Sequence, residues 1–557
     1  MGDALFLKCM LNAKNFRVLL PNMVLAICLL AASGQAFGQK DSLRDIEDEV
    51  FSPYKPKLAE AKKIPTKPYI DEPKTLLPEF TYSIPQFRYR VNPVYTPADA
   101  IKLKGEKRDD LTGNYFRFGF GNYLSPLGEI HLHNGRHKNY NFGAHVKHFS
   151  SNNGTPANAE FNDNLISVYG TKKGSKGKLY GSLDYERNGV AYYGYNHDSV
   201  EFSKSDVRNV YNGFSGQTYW DNYSDRKKVG VNLGLNFGFK TNGPTDEFRV
   251  EGSNYTRFKV GIGNLSFKST YEYQQIKNDS NTLNRNFIRV QPKYSFKRKK
   301  LYFELGLRIV DVIDSANTFR IYPVAHFHHF IVPKKMKFYA DISGDVMRNS
   351  FAELSQRNPF VAEQYNTVTG FNGFKLEAGI AGLVVKKLDY HMGVSFNQFN
   401  NYALFVSDTS ITHPFNVVYS GLNRLALHTM LDFNHNEKWF IQLGGNFYSY
   451  TAKDADAPWQ LPNFDARFSI STVLAKKLRL SVNAFAVGER VQRSVEDPTK
   501  TITLETILDL NFHAEYYYKK NLSFFLNANN LTNQKYQYWN FYPQYGINVL
   551  AGLTFSI

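Results

Sequence analysis

The chain has 557 residues, 42% of them hydrophobic, with a mean hydropathy of -0.42 and a formal charge of +17. Its two cysteines, Cys9 and Cys28, both lie in what reads as a removable leader, so thiol catalysis, zinc–cysteine sites and disulfides are excluded from the remainder. The aromatic share of 15% is high for a soluble multidomain protein, and the polar average does not exclude a membrane, because a spanning β-strand of about 9–11 residues needs only every second side chain apolar.

Lys8, Lys14 and Arg17 form a basic start, Val18 to Ala32 an apolar run, and Ala36-Phe37-Gly38 a small-residue site. That is the pattern of a secretory signal peptide over residues 1–38, with cleavage between Gly38 and Gln39. A spanning helix needs roughly 20 apolar residues, and the bulky Ile27 before Cys28 does not suit lipoprotein processing. The mature chain keeps about +15. Nucleic acid is not an expected partner of an exported protein, and the basic excess suits anionic headgroups of outer-membrane lipid and lipopolysaccharide.

Residues 39–111 differ from everything after them. Ser42 to Phe51 is acidic and suits one short helix, and nine prolines fall among the 45 residues from Pro53 to Pro97. Proline at that density forbids ladders and helix interiors and favours an extended arm. Such an arm is either a linker or a segment that docks onto the barrel or onto a periplasmic protein.

From residue 112 to the end the pattern is period two. Phe116, Phe118 and Phe120 alternate with Arg117, Gly119 and Gly121, and Val229 to Phe239 alternate with Gly, Asn and Lys. Leu301 to Ile309 face away from Tyr302, Glu304, Gly306 and Arg308, and Met336, Phe338, Ala340, Ile342 and Val346 oppose Lys337, Tyr339, Asp341, Ser343 and Asp345. Each set occupies one face of a strand. Such ladders have polar edges, and in lipid only closure removes them. The predicted fold is all-β: a single large antiparallel transmembrane β-barrel of about 20–22 strands over residues 112–557, in the outer membrane of a Gram-negative cell. Ser150 to Asp163, Asn196 to Asp225 and Ala452 to Pro462 read as extracellular loops. The lysine clusters at Lys297 to Lys300, Lys334-Lys335, Lys476-Lys477 and Lys519-Lys520 read as periplasmic turns. Tyr448, Tyr450, Tyr516 to Tyr518 and Tyr536 to Tyr542 read as interfacial girdles.

The last strand, Leu550 to Ile557, places Gly552, Phe555 and Ile557 in the spacing of the signal read by the barrel-assembly machinery, the expected partner during insertion. Before it stand Asn527-Ala528-Asn529-Asn530-Leu531-Thr532-Asn533, Tyr536, Tyr542-Pro543 and Gly546. This segment resembles the final hairpin and strand of TonB-dependent receptors, with Ile547 where an arginine usually stands. The resemblance implies transport. Such receptors carry a plug of well over 100 residues, whereas about 75 residues separate the signal peptide from the first strand here, and no TonB box is read in them. Tyr115 to Arg136, Asn139 to Ser150 and Asn358-Pro359-Phe360 resemble a plugless, receptor-like group of Bacteroidota outer-membrane proteins.

His131 and His133 alternate with Ile130 and Leu132, and His145 with Ala144 and Val146, so all three imidazoles are expected in the lumen. There they either line a polar wall or hold a metal or haem-like ligand. His326, His328 and His329 form a second group with the same two readings. No nucleophile motif frames the Ser, His and Asp residues, so no enzyme and no cofactor is expected. Two functions remain. One is a transport channel or receptor-like porter for an unidentified solute. The other is a structural or accessory subunit of an outer-membrane assembly, using residues 40–110 to bind a periplasmic partner.

Overall fold

The computed structural model describes residues 113–557, apart from 136, 155, 223–227, 334, 386 and 436–437. The expected signal cleavage at Gly38 and Gln39 and the proline-rich arm lie outside the described residues. Within them the alternating segments form one sheet of 22 antiparallel strands, each paired with its neighbours in chain order. The sheet closes where the first strand, Tyr115–Gly121, pairs with the last, Asn548–Ser556, Phe116 opposite Phe555 and Gly119 opposite Gly552. Closure leaves no unpaired edge, which is what lets strands cross a hydrocarbon layer.

The two faces separate as the sequence alternation predicts. Phe118 and Phe120 are 46% and 59% exposed on the outer surface, and Leu233, Leu235, Leu305 and Leu307 continue that apolar belt. Arg117, Glu129, His131 and His145 share inward register rows, Arg117 beside Glu129 and His131 beside His145. Three expectations are corrected. A bulge between Ser343 and Asp345 shifts the register of Met336–Met347 and buries Val346 with Phe287, Val310, Val312, Tyr322 and Phe371, not on the outer belt. Residues 208–221, read as part of a loop, form the strand Arg208–Asp221, whose Asn and Gly content hides the alternation. Tyr448 and Tyr450 are not girdle residues: the Tyr448 hydroxyl donates to Asp465 at 2.6 Å, on the row opposite the exposed Phe447. Tyr516 and Tyr518 do stand exposed on the outer surface.

The connections differ sharply between the two ends. At the end of Tyr115 and Ile557 they are mostly short, as at 261–262, 299–300, 475–477 and 520–521, and the predicted lysine clusters fall there. The long connections, 192–207, 348–369, 488–506 and 530–547, gather at the other end. In outer-membrane barrels short turns are periplasmic and long loops extracellular.

At the closing seam the Phe525 ring is buried across Gly119 and Gly552, under the Arg117 guanidinium at 4.4 Å. A Cβ on Gly552 would collide with the Phe118 carbonyl and lie 2.6 Å from both Gly119 Cα and the Phe525 ring. Glycine there permits the close backbone approach that closes the sheet.

Candidate functional site: a loop cap over a charged lumen

Residues 348–369 leave one wall of the barrel and reach others. They contain the helix Phe351–Arg357, capped by Ser350, whose side chain accepts from the Glu353 N–H at 3.2 Å. The Ser-x-x-Glu pattern is a capping-box sequence, legible beforehand but passed over. The helix ends at Asn358, held extended by the proline that follows, and the Asn358 side chain accepts from the Phe360 N–H at 2.9 Å.

On one side this strap is fastened by charge. Arg348 donates to Glu353 at 2.8 Å and to Glu272 at 3.0 Å. Glu272, on the strand Gly263–Asn278, is fully buried, and Arg289 stands 3.3 Å from it and 3.2 Å from Glu251. Arg285, also fully buried, donates to the carbonyls of Arg348 and Thr367. Glu247 accepts from the Ala352 N–H at 2.8 Å and from Gln274 at 3.0 Å, and Thr245 donates to the Glu363 carbonyl at 2.7 Å. On the other side Arg357 donates to the Ala403 carbonyl at 3.1 Å, and the Phe415 N–H donates to the Phe360 carbonyl at 2.9 Å. Tyr419, on Phe415–His435, donates to the Asn366 carbonyl at 3.0 Å. The strap therefore binds strands eight to ten of the barrel, Thr245–Val260, Gly263–Asn278 and Thr282–Arg298, and strands fifteen and sixteen, Leu388–Ser407 and Phe415–His435.

Its centre is aromatic. Phe360 stacks on Tyr542 at 4.0 Å and meets Tyr193 edge-on at 5.6 Å. Tyr542 is fully buried and donates to the Thr412 carbonyl at 2.9 Å, and Tyr192 donates to the Val361 carbonyl at 2.7 Å. Loops 192–207, 348–369 and 530–547 thus share one apolar knot with Phe415 and Ala403. Burial is what raises the Tyr193 and Tyr542 hydroxyls above the ordinary phenol range, so both stay neutral donors. The C-terminal motif singled out in the sequence anchors its share of this knot. Asn530 and Asn533 adopt positive φ, Asn530 donates to the carbonyls of Gln534 and Tyr545, and the Asn533 side chain accepts from the Ile547 N–H. Tyr536 and Tyr542 serve the loop and not an interfacial girdle.

The predicted histidines divide. His131 and His145 face the lumen, and each places Nε2 at 3.1 Å from the same oxygen, Glu129 Oε1. Their rings lie 3.9 Å apart. His133 is not with them, since its Nδ1 accepts from the Gly135 N–H at the turn. Glu129 takes its place, and the signal for it was its i, i−2 position on the His131 face. In the second group His326 bonds Asp341 and His328 stacks on Tyr302, while His329 points outward. A further cluster absent from the sequence reading joins Glu377, His391 and His428 from three consecutive strands. Phe555 lies on the outer row and Gly552 on the inner one, with Ile557 exposed at the end.

No family model matches this sequence, and neither does any curated protein. Solved structures do resemble the fold. The FrpB iron transporter from Neisseria meningitidis superposes with a TM-score of 0.63 at 10% identity, over 81% of this chain and 83% of that one. The P. aeruginosa FpvA, bound to a pyoverdine–iron complex, gives 0.62 at 12% identity over 81% and 72%. The ferric-catecholate import receptor Fiu of E. coli K12 gives 0.60 at 9% identity over 81% and 82%. The chain has the closed 22-strand antiparallel β-barrel fold that these transporters and receptors share.

Proposed function

We propose that this chain is a gated outer-membrane porter of the receptor type, a passage for solute and not an enzyme. Its extracellular mouth is held shut by residues 348–369, and the passage opens when that strap is displaced. The observation that carries the reading is the strap itself: one segment fastened to strands eight to ten by buried charge and to strands fifteen and sixteen by backbone and aromatic contacts. A 22-strand barrel is wide enough to need an obstruction if it is not to leak, and these loops supply one at the mouth. The structural neighbours named above take up iron or ferric siderophores, so a metal chelate is the first cargo class to test.

The test is conductance of the purified chain in a planar bilayer. The intact protein should be closed or nearly so, and a variant lacking residues 351–366 should pass a steady ionic current. A chain that stays non-conducting in both forms is not a passage. A chain that conducts equally in both is not gated by the strap.

A further inference from the structure

We infer that Glu129, His131 and His145 form a binding site for a divalent first-row transition cation on the lumen wall near the closing seam. The inference does not rest on the transport reading, and its test reads metal alone.

The three residues are brought together by register. Glu129 and His131 are two apart on Ser125–His133 and so share a face, and His145 on Tyr140–Ser151 is the direct cross-strand partner of His131. The donor set is two imidazoles and one carboxylate, the set that suits zinc, iron, cobalt, nickel or copper and not the hard cations magnesium and calcium. The spacing fits a coordination sphere as well. With metal–ligand distances of about 2.0–2.2 Å, neighbouring ligand atoms lie roughly 2.8–3.1 Å apart in octahedral and about 3.3–3.6 Å apart in tetrahedral geometry. Both His Nε2 atoms are 3.1 Å from Glu129 Oε1, the length of such an edge. The rings are near parallel, 10° apart, so convergence on one ion asks for each ring to tilt.

The surroundings hold these ligands in place without competing for them. His145 is only 4% exposed. Arg117 approaches the other carboxylate oxygen, Oε2, at 3.8 Å while lying over the Phe525 ring. That leaves Oε1 to the imidazoles. The cluster of Glu377, His391 and His428 offers the same donor types but a different setting. There Lys375 Nζ sits 3.2 Å from Glu377, and His428 Nε2 is already engaged by the Tyr339 hydroxyl at 3.0 Å. An ammonium already balances that carboxylate, and we assign no ion to it. Three protein ligands leave the coordination sphere to be completed by other ligands, the arrangement of an exchangeable site and not of a closed structural one.

The experiment uses the full chain, purified in detergent and stripped with chelator, and titrates Co2+ by its visible absorption with Zn2+ as competitor. One equivalent of Co2+ should bind, with the spectrum of a nitrogen–oxygen site, and Zn2+ should displace it. His131→Gln and His145→Gln keep an N–H donor for Glu129 while removing the imidazole ligand. Each should weaken Co2+ binding by at least about tenfold, with the heat-modifiable mobility of the folded barrel retained. His391→Gln should bind as the unaltered chain does. Absence of stoichiometric binding by the unaltered chain overturns the inference. So does binding that survives both Gln substitutions, or that is lost with His391→Gln alone.

Discussion

Replacing Arg348 by Met should unfasten the strap and leave the barrel intact. Arg348 is 19% exposed and bridges Glu353 and Glu272, whereas Glu272 is fully buried. Taking away one partner of a buried ion pair costs about 3–5 kcal/mol, because the remaining charge is left without compensation. Arg289, 3.3 Å from Glu272, would then be shared between Glu272 and Glu251. That places the cost at the low end, about 3 kcal/mol. At roughly 1.4 kcal/mol per factor of ten, the strap should open about 100-fold more often. Amide exchange followed by mass spectrometry reads this directly. The Leu354 and Asn358 amides, bonded to the Ser350 and Leu354 carbonyls at 2.9 Å each, should exchange about 100-fold faster, and those of the strands Gly263–Asn278 and Thr282–Arg298 unchanged. The double variant Arg348→Met with Glu272→Gln removes the orphaned charge as well, and should return to within about tenfold of the unaltered chain. Unchanged strap exchange in Arg348→Met refutes the argument, as does a double variant no slower than the single one.

Phe360→Ala removes the ring shared by Tyr193 and Tyr542 and should cost about 3 kcal/mol. If the cap is one cooperative unit, exchange should rise together in loops 192–207 and 530–547, and a rise confined to the strap would show the loops to be independent. Gly552→Ala forces a methyl group against the Phe118 carbonyl at the seam, and the barrel should fail to acquire its heat-modifiable form on gels. Truncation after Thr554, which removes Phe555 and Ile557, should slow insertion by the assembly machinery in reconstituted membranes while purified chains still refold in detergent. Deleting residues 40–110 should raise bilayer conductance if the arm contributes to obstruction, and should leave it unchanged if the strap alone closes the mouth.

The barrel was legible because its determinants are local. Alternation in stretches such as Leu301 to Ile309 depends only on which face meets lipid, and it recurs often enough to survive individual exceptions. Where lipid does not impose that contrast the signal fades. Arg208–Asp221 lacks it because Asn212, Gly216 and Thr218 stand on the outward row with Phe214, while Asn209 and Gly213 take the inward one. On that outward row Gly216 and Thr218 lie opposite the apolar Phe237 and Leu235. The phase of Val346 was misread because a bulge changes phase without changing composition. Tyrosine was ambiguous for a related reason. The same side chain suits a lipid interface at Tyr516 and a buried hydrogen bond at Tyr542, and only tertiary contacts tell these apart.

The site was legible in proportion to its sequence separation. His131 and His145 lie on adjacent strands joined by a short turn, so face and neighbourhood could be read together. Glu129, the third member of the cluster, went unread, and His133 lies at the turn. The strap is the opposite case. Arg348 and Glu272 are 76 residues apart, and Tyr192 and Val361 are 169 apart. Their meeting depends on closure of the whole sheet, which no window of sequence contains. The same separation bears on gating. Contacts between loops from different walls exist only while the strap lies across the mouth, so they are lost as a group when it leaves. Each severed pair would leave a buried charge or donor unsatisfied in a half-released state. Intermediate positions are therefore disfavoured relative to closed and fully released ones. A cap fastened in this way behaves as a two-state element rather than a graded one, the property a gate requires.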